Sequence, residues 1–122
     1  MEKKYELTDE KIEFDGKTLR RIRALRDFSN VRAGDVGGFL ESEKNLDHDG
    51  DAWIYGGARV FDDAQVFGDA VVYDDARVFD HAVVFDHAWI YGGARVYDDA
   101  QVFGDAVVFG NAWIYGDAQV SK

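Results

Sequence analysis

The sequence contains no cysteine and no proline. Without cysteine, neither a disulfide bond nor a thiolate metal site can form. No apolar run approaches the length of a membrane span or signal peptide, so we expect a cytoplasmic protein that does not enter a membrane. Threonine is absent from the repeated part of the chain, which sets aside the regular threonine ladders that an ice-binding solenoid needs.

Acidic residues dominate most of the chain. The 122 residues, enough for one domain, carry a formal net charge of −10. Residues 1–32 hold nine Lys or Arg against seven Asp or Glu, whereas residues 33–122 hold five against seventeen. The acidic part repels polyanions, so direct nucleic-acid binding there is disfavoured.

A six-residue repeat fills the second half of the sequence. Alanine recurs every six residues from Ala52 to Ala118, and Ile or Val follows two residues after each alanine. Phe or Tyr comes next in eleven of the twelve units, and two residues drawn from Gly, Asp, His and Asn complete each of these eleven. The consensus is A-x-[VI]-[FY]-[GD]-[DGHN].

This spacing predicts short strands joined by tight corners. Apolar residues two apart share one face of a strand. The residues between them include Arg59, Arg77 and Arg95, and stacked arginines cannot line a narrow core, so Ala and Val or Ile must point inward. Gly, Asn, Asp and His tolerate positive φ and turn the chain. Three sides close an 18-residue triangular coil, and four coils stack at about 4.8 Å per rung.

The repeat resembles the hexapeptide-repeat superfamily, known from the LpxA-like acyltransferases. That resemblance implies a left-handed parallel β-helix, since the spacing alone does not fix the hand. The segment KIEFDGKTLRRIRALRDFSNVRAGDVGGFLESEKNL, followed by WIYGGARV, is similar to the YdcK-like proteins, a bacterial and prophage group within that superfamily. The expected fold class is therefore all-β, a single-stranded left-handed parallel β-helix.

The residues before the repeat predict a cap. Tyr5–Leu7, Lys11–Phe14 and Lys17–Ala24 have the pattern of short strands, and Asp15-Gly16 is a tight-hairpin signal between the last two. A parallel solenoid needs such a cap because its end is an unpaired sheet edge.

Residues 34–51 predict a degenerate first coil. Counting back in steps of six from Ala52 reaches Leu46 and Leu40, which would place both in the alanine column. We therefore divide the chain into a hairpin cap at 1–33, a degenerate coil at 34–51 and the regular β-helix at 52–122.

With 18 residues per coil, outward positions form columns. One face alternates Trp and Val beside an aromatic ladder, and such an apolar face commonly marks an interface. We expect a homo-oligomer, a dimer or trimer, through this face or through the bare C-terminal edge of the last coil. The candidate face comprises Trp53, Val71, Trp89, Val107, Tyr55, Tyr73, Tyr91 and Phe109.

One corner column is acidic. Carboxylates one rung apart repel each other, which should raise some of their pKa values or attract cations, although Asp is also ordinary turn chemistry. The alternative function is a phage-type inhibitor that binds a basic, nucleic-acid-binding protein through this column, since the resemblance implies a prophage setting. The candidate acidic column comprises Asp62, Asp63, Asp80, Asp98, Asp99 and Asp117.

The hairpin carries a basic cluster, Arg20, Arg21, Arg23 and Arg26. It has two interpretations, a phosphate or nucleic-acid patch, or pairing with nearby carboxylates. The neighbouring acidic residues favour pairing.

An enzyme is the remaining alternative, and it rests on fold resemblance alone. Related acyltransferases generally use a histidine as general base, but His81 and His87 occupy corner positions that turn chemistry explains. We assign no catalytic, cofactor-binding or metal-binding residue, and we expect no cofactor. The favoured interpretation is a non-catalytic structural or interaction protein, a self-associating acidic rod.

Overall fold

A computed structural model describes residues 3–122 as a β-solenoid with an N-terminal hairpin. Three longer strands come first: β1 (Tyr5–Phe14), β2 (Lys17–Ala24) and β3 (Val36–Leu40), followed by a short 3-10 helix at Glu43–Asn45. Twelve two-residue strands complete the fold: β4 (Trp53–Ile54), β5 (Arg59–Val60), β6 (Gln65–Val66), β7 (Val71–Val72), β8 (Arg77–Val78), β9 (Val83–Val84), β10 (Trp89–Ile90), β11 (Arg95–Val96), β12 (Gln101–Val102), β13 (Val107–Val108), β14 (Trp113–Ile114) and β15 (Gln119–Val120).

The short strands stack into three parallel sheets. One has the order β4-β7-β10-β13, a second β6-β9-β12-β15, and the third β1-β2-β3-β5-β8-β11-β14. Trp53 pairs with Val71, which pairs with Trp89, so each strand lies opposite the strand 18 residues further on. The predicted 18-residue coil and parallel stacking are confirmed, whereas the left hand stays a prediction.

Alanine and Val or Ile form the core, as their spacing predicts. The repeat alanines from Ala52 to Ala106 and the branched residues from Ile54 to Val108 are buried in one continuous cluster. In the last coil Ile114 and Val120 are only partly buried. Strands β13, β14 and β15 pair on one side only within the described residues, and the association expected at this edge stays a prediction.

The corners adopt the left-handed backbone conformation that their composition predicts. The first corner residue of each turn is Asp or Gly, and φ is positive at such positions, for example 57° at Asp62 and 58° at Gly56. The alanine after most of these corners closes the turn, as where the Ala64 N–H donates to the Phe61 carbonyl at 3.2 Å. Asp tolerates this conformation better than β-branched or bulky residues, because its short polar side chain forms local hydrogen bonds.

The predicted hairpin is present, with one difference in its first arm. Asp15 and Gly16 both have positive φ, 54° and 77°, and connect β1 to β2, as a two-residue type I′ turn requires. The two short strands expected before the turn form one strand, β1, with an irregularity in pairing between Leu7 and Lys11. β2 pairs antiparallel with β3, which pairs parallel with β5, so the hairpin extends one sheet at its N-terminal edge.

The predicted phase of the first coil is wrong by two residues. Leu40 pairs with Val60, and Leu46 forms a bridge with Val66. Both leucines therefore lie in the column of branched residues instead of the alanine column. The extra length is taken up just before the repeat, where the N–H groups of Asp51 and Ala52 both donate to the Gly68 carbonyl.

No helix among residues 3–122 has the length and apolar character needed to cross a membrane.

Candidate interaction surfaces

On the face that alternates Trp and Val, the most exposed large apolar side chains lie on the C-terminal coils. Trp89 is 50% exposed, Val107 43% and Phe109 59%. Tyr91 joins them by stacking between Tyr73 and Phe109, with ring centroids 4.8 and 5.7 Å away. Trp89 pairs directly with Val107 on the next rung. We call Trp89, Val107, Phe109 and Tyr91 the apolar strip.

Trp53 does not belong to this exposed surface, which corrects the expectation that it contributes to an association face. Its side chain is 1% exposed. The ring of Phe28 meets it edge-on at 5.2 Å, and the ring of Tyr5 lies 6.3 Å away. Tyr55 is only partly buried but packs against the same core cluster. The hairpin cap and the loop after it therefore cover the first rung of the face.

Two exposed aromatic residues on the neighbouring face were not included in the predicted interface. Trp113 and Tyr115 are each 56% exposed. Trp113 occupies the position above Arg95 in the outward column of β5, β8, β11 and β14. The signal was visible in the sequence, because a tryptophan replaces an arginine in an otherwise regular column.

The acidic column is built into the backbone hydrogen bonding. In this column, the first residue of each corner directs its N–H towards the preceding coil. Asp62 Oδ2 accepts this hydrogen bond from Asp80 at 3.2 Å, Asp80 Oδ2 accepts it from Asp98 at 3.1 Å, and Asp98 Oδ2 accepts it from Gly116 at 3.0 Å. The same bond recurs at another corner, from Gly92 to Asp74. These carboxylates therefore satisfy amides that the strand ladders do not reach.

One lysine of the cap and one of the first coil pair with the N-terminal end of the acidic column. Lys17 Nζ lies 3.1 Å from Asp62, and Lys44 Nζ lies 2.5 Å from Asp63. His81 Nδ1 is 3.5 Å from the other oxygen of Asp63. The hydrogen bond from Lys44 lowers the pKa of Asp63, which is opposite in direction to the rise expected for stacked carboxylates. Further up the column, the side chains of Asp99 and Asp117 are exposed. Binding of a basic protein there stays a prediction.

The arginines of the predicted basic cluster contact groups of the cap and of the first coil. Arg21 Nε donates to Glu10 at 2.8 Å, and Arg23 pairs with Glu6. Arg20 lies 4.0 Å from Asp9. The remaining member, Arg26, donates to the His48 carbonyl at 3.0 Å. This arrangement matches the pairing interpretation of the cluster.

A buried lysine at the cap was not anticipated from the sequence. Lys4 Nζ donates to the Ala52 carbonyl at 2.6 Å and lies 5.0 Å from the centre of the Phe28 ring. Burial lowers the pKa of Lys4 to about 8. The residues around Lys4 in the sequence form no pattern that would mark it as a core residue. The ammonium group fixes the bulge that precedes the regular repeat.

His48 anchors the same part of the cap. Its Nδ1 accepts a hydrogen bond from the Lys4 backbone N–H at 3.0 Å, so its Nε2 carries the proton and donates to Glu43 at 2.8 Å. The hydrogen bond from His48 lowers the pKa of Glu43. The Tyr5 ring stacks on the imidazole at 4.2 Å, and burial raises the pKa of Tyr5. The imidazole thus holds β1 against the first coil.

The other two histidines lie at corners. His87 Nδ1 is 3.5 Å from Asp69, one coil below, which repeats the relation between His81 and Asp63. Among residues 3–122, His, Asp and Glu side chains form no group of three or more placed to hold a metal ion.

The fold defines the protein as a β-solenoid repeat protein. The family model of the YdcK beta solenoid repeat matches residues 100–116, which include strands β12 to β14. This match supports a YdcK-like β-solenoid. No curated protein matches the chain.

Proposed function

We propose that the protein is a non-catalytic interaction protein whose copies associate side by side through the apolar strip. The observation that carries this proposal is the exposure of Trp89, Val107 and Phe109 on one regular face. The branched residues on the inward side of the same strands are buried. A contiguous apolar surface on an otherwise acidic protein favours a contact that removes it from water.

The exposed area suits the centre of an interface of ordinary size. A buried aromatic side chain covers about 150–250 Å². With Trp89 and Phe109 half exposed, and with contributions from Val107 and the tyrosine ladder, the strip presents on the order of 400 Å². A standard interface buries about 800 Å² on each partner. The strip thus supplies an apolar centre, and polar residues around it must supply the rim.

Regular spacing favours a second copy as the partner. Rungs of a β-solenoid recur at about 4.8 Å. The aromatic rings and valines of two copies therefore have the same spacing along the solenoid and can pack against each other in register. A two-fold axis brings the same patch of both copies together, which is the commonest symmetry of homo-oligomers.

Charge opposes this association at low salt. Two copies of formal charge −10 repel each other, and the repulsion is screened within about 10 Å at 0.1 M ionic strength. Self-association through an apolar centre should therefore strengthen as salt concentration rises. Association through ion pairs would weaken instead.

Native mass by light scattering on a sizing column tests the proposal. We expect a mass above that of the monomer at about 0.5 M salt and a smaller mass at about 0.05 M. Trp89→Asp should return the protein to a monomer at both salt concentrations. The matched control is Gln65→Asp, which adds the same charge at an exposed position on another face. A monomeric wild-type protein at all salt concentrations, or equal loss of mass in both variants, would contradict self-association through the strip.

A further inference from the structure

Three arginines stack directly above one another on the second face. Arg59 pairs with Arg77, and Arg77 pairs with Arg95, in parallel register on β5, β8 and β11. We call these three residues the arginine column. Like charges directly opposite each other on neighbouring strands destabilise a sheet. The arrangement therefore needs a compensating interaction.

Carboxylates do not provide that interaction within the described part of the chain. Among residues 3–122, no carboxylate oxygen lies within 4.0 Å of a side-chain nitrogen of the arginine column. Arg21 and Arg23 of the cap both have such partners. In addition, Arg59 Nε is buried without a hydrogen-bond partner. The contrast is notable because the chain has 24 acidic residues.

Aromatic rings lie next to the guanidinium groups. The guanidinium carbons of Arg59 and Arg77 lie 4.5 and 4.7 Å from the centre of the Phe14 ring, and that of Arg95 lies 5.4 Å from Trp113. Within residues 3–122, the arginine side chains that donate hydrogen bonds are those of Arg20, Arg21, Arg23 and Arg26, and not those of Arg77 or Arg95. A guanidinium group that interacts with a ring keeps its N–H groups as donors for a ligand. Burial, followed by the charges of Arg95 and Arg59, lowers the pKa of Arg77.

Two of these arginines lie beside a small cleft. Arg77 and Arg95 line a space of about 300 Å³ together with the rings of Phe14, Phe61 and Phe79. Asp15 at the hairpin turn also lines it. The cleft thus combines two guanidinium groups with apolar walls, which lower the local dielectric and so strengthen charge-assisted hydrogen bonds.

We propose that Arg77 and Arg95 bind a small oxyanion, a phosphate or a carboxylate group, in this cleft. Guanidinium groups bind both oxyanions through paired, parallel N–H···O hydrogen bonds. An anion between the two arginines would also offset their mutual repulsion. The formal charge of −10 repels polyanions at long range, so the ligand is a small molecule held by short-range hydrogen bonds and not a nucleic acid.

Titration followed by NMR of the arginine Nε–H groups tests the proposal. Inorganic phosphate and acetate are added separately, and sodium chloride at matched ionic strength provides the reference. We expect the Arg77 and Arg95 signals to shift saturably with at least one of the two anions. Tighter binding of phosphate would assign a phosphate-bearing ligand, and tighter binding of acetate a carboxylate-bearing ligand.

Variants show whether the cleft is responsible. Arg95→Gln should weaken binding by about tenfold, since it removes one charged hydrogen-bonding group. Arg95→Lys keeps a cation if the glutamine variant does not fold, and should also bind more weakly because it loses the paired donors. Asp15→Asn should tighten binding, whereas Arg23→Gln, outside the cleft, should leave it unchanged. Shifts that do not saturate, that equal those caused by chloride, or that persist unchanged in both Arg95 variants would overturn the proposal.

Discussion

Asp80 accepts a hydrogen bond through Oδ2 from the backbone N–H of Asp98, one coil further along, at 3.1 Å. Asp80 itself donates to Asp62 in the coil before, so one residue both donates and accepts along the column. These bonds join successive coils at the corners and supply a partner for the first corner N–H, which the backbone ladder leaves unpaired. The acidic column is therefore part of the structure that holds successive coils together.

Removing one acceptor of this column should destabilise the fold. Asp80→Ala leaves the Asp98 N–H without its partner and places alanine at φ of 59°, so we expect a loss of about 1–3 kcal/mol. Asp80→Asn keeps an acceptor oxygen and a residue that tolerates this conformation, and should cost much less. Urea denaturation measures both changes. The control is Asp99→Ala, which removes an equal charge from the second position of the corner in the following coil. An equal loss of stability in Asp99→Ala would exclude the proposed role of Asp80.

Two tryptophans with identical neighbours in sequence should differ in how much their truncation to alanine lowers the free energy of unfolding. Trp53 and Trp89 both begin the segment WIYGGARV, yet Trp53 is 1% exposed and Trp89 50% exposed. Trp53→Ala should lower the free energy of unfolding by about 3–5 kcal/mol, as expected for a buried aromatic residue. Trp89→Ala should have a small effect on the stability of the monomer. Similar losses at dilutions that keep both proteins monomeric would contradict the difference in burial.

Asn45 fills a buried position where the first coil departs from the repeat. Its Oδ1 accepts hydrogen bonds from the N–H groups of Glu41 and Ser42, and its Nδ2 donates to the carbonyls of Asp62 and Ala64. Asn45→Ala would leave these buried or partly buried groups without partners. We expect a loss of about 2–4 kcal/mol in thermal or urea unfolding.

The exposed amide Gln65 provides the comparison for Asn45. Gln65→Ala removes a side-chain amide from the outward face of β6 and should change stability by less than about 0.5 kcal/mol. A cost for Asn45→Ala as small as this would show that the four hydrogen bonds contribute little to the stability of the first coil.

Lys4 should make stability depend on pH. Its pKa of about 8 in the folded protein lies below the ordinary 10.5, so the unfolded chain binds more protons between these values. The free energy of unfolding should therefore rise with pH from 8 towards 10, by about 2 kcal/mol. Lys4→Met should lose this rise, while Lys11→Met, at an exposed position, should keep it. Urea denaturation at a series of pH values measures the difference.

Tyr5 sets the upper limit of that window. Burial raises its pKa above the ordinary 10.0, so above pH 10 the folded protein binds more protons at this residue. The stability that Tyr5 contributes is fully present below pH 10 and is lost as pH rises through its folded pKa.

A pH profile that is flat from 8 to 10 in the wild-type protein would contradict the burial of Lys4 as an ammonium group.

The repeat allowed the solenoid to be predicted because the same local rules hold in almost every unit. Small and branched residues two apart define the inward side, and Asp or Gly supplies the left-handed corner, as at Asp62 and Gly56. The phase of Leu40 and Leu46 could not be obtained by counting, because two extra residues before Ala52 are absorbed in a bulge.

The candidate face was less predictable because exposure depends on distant contacts. Trp53 and Trp89 cannot be distinguished by their neighbours in sequence. Phe28 and Tyr5 cover only Trp53, and their positions follow from how the cap folds back. The acidic column was also only partly predictable. The sequence predicts that its carboxylates stack, but it does not show that they accept hydrogen bonds from backbone N–H groups.

Cross-linking through a single introduced thiol tests side-by-side association most directly. The chain has no cysteine, so Val107→Cys places one thiol within the apolar strip and Gln65→Cys places one on another face. With a short bis-maleimide reagent, we predict a covalent dimer for Val107→Cys, in higher yield at high salt, and none for Gln65→Cys. Absence of a cross-linked dimer at Val107→Cys, or equal yields at both positions, would contradict association through the apolar strip.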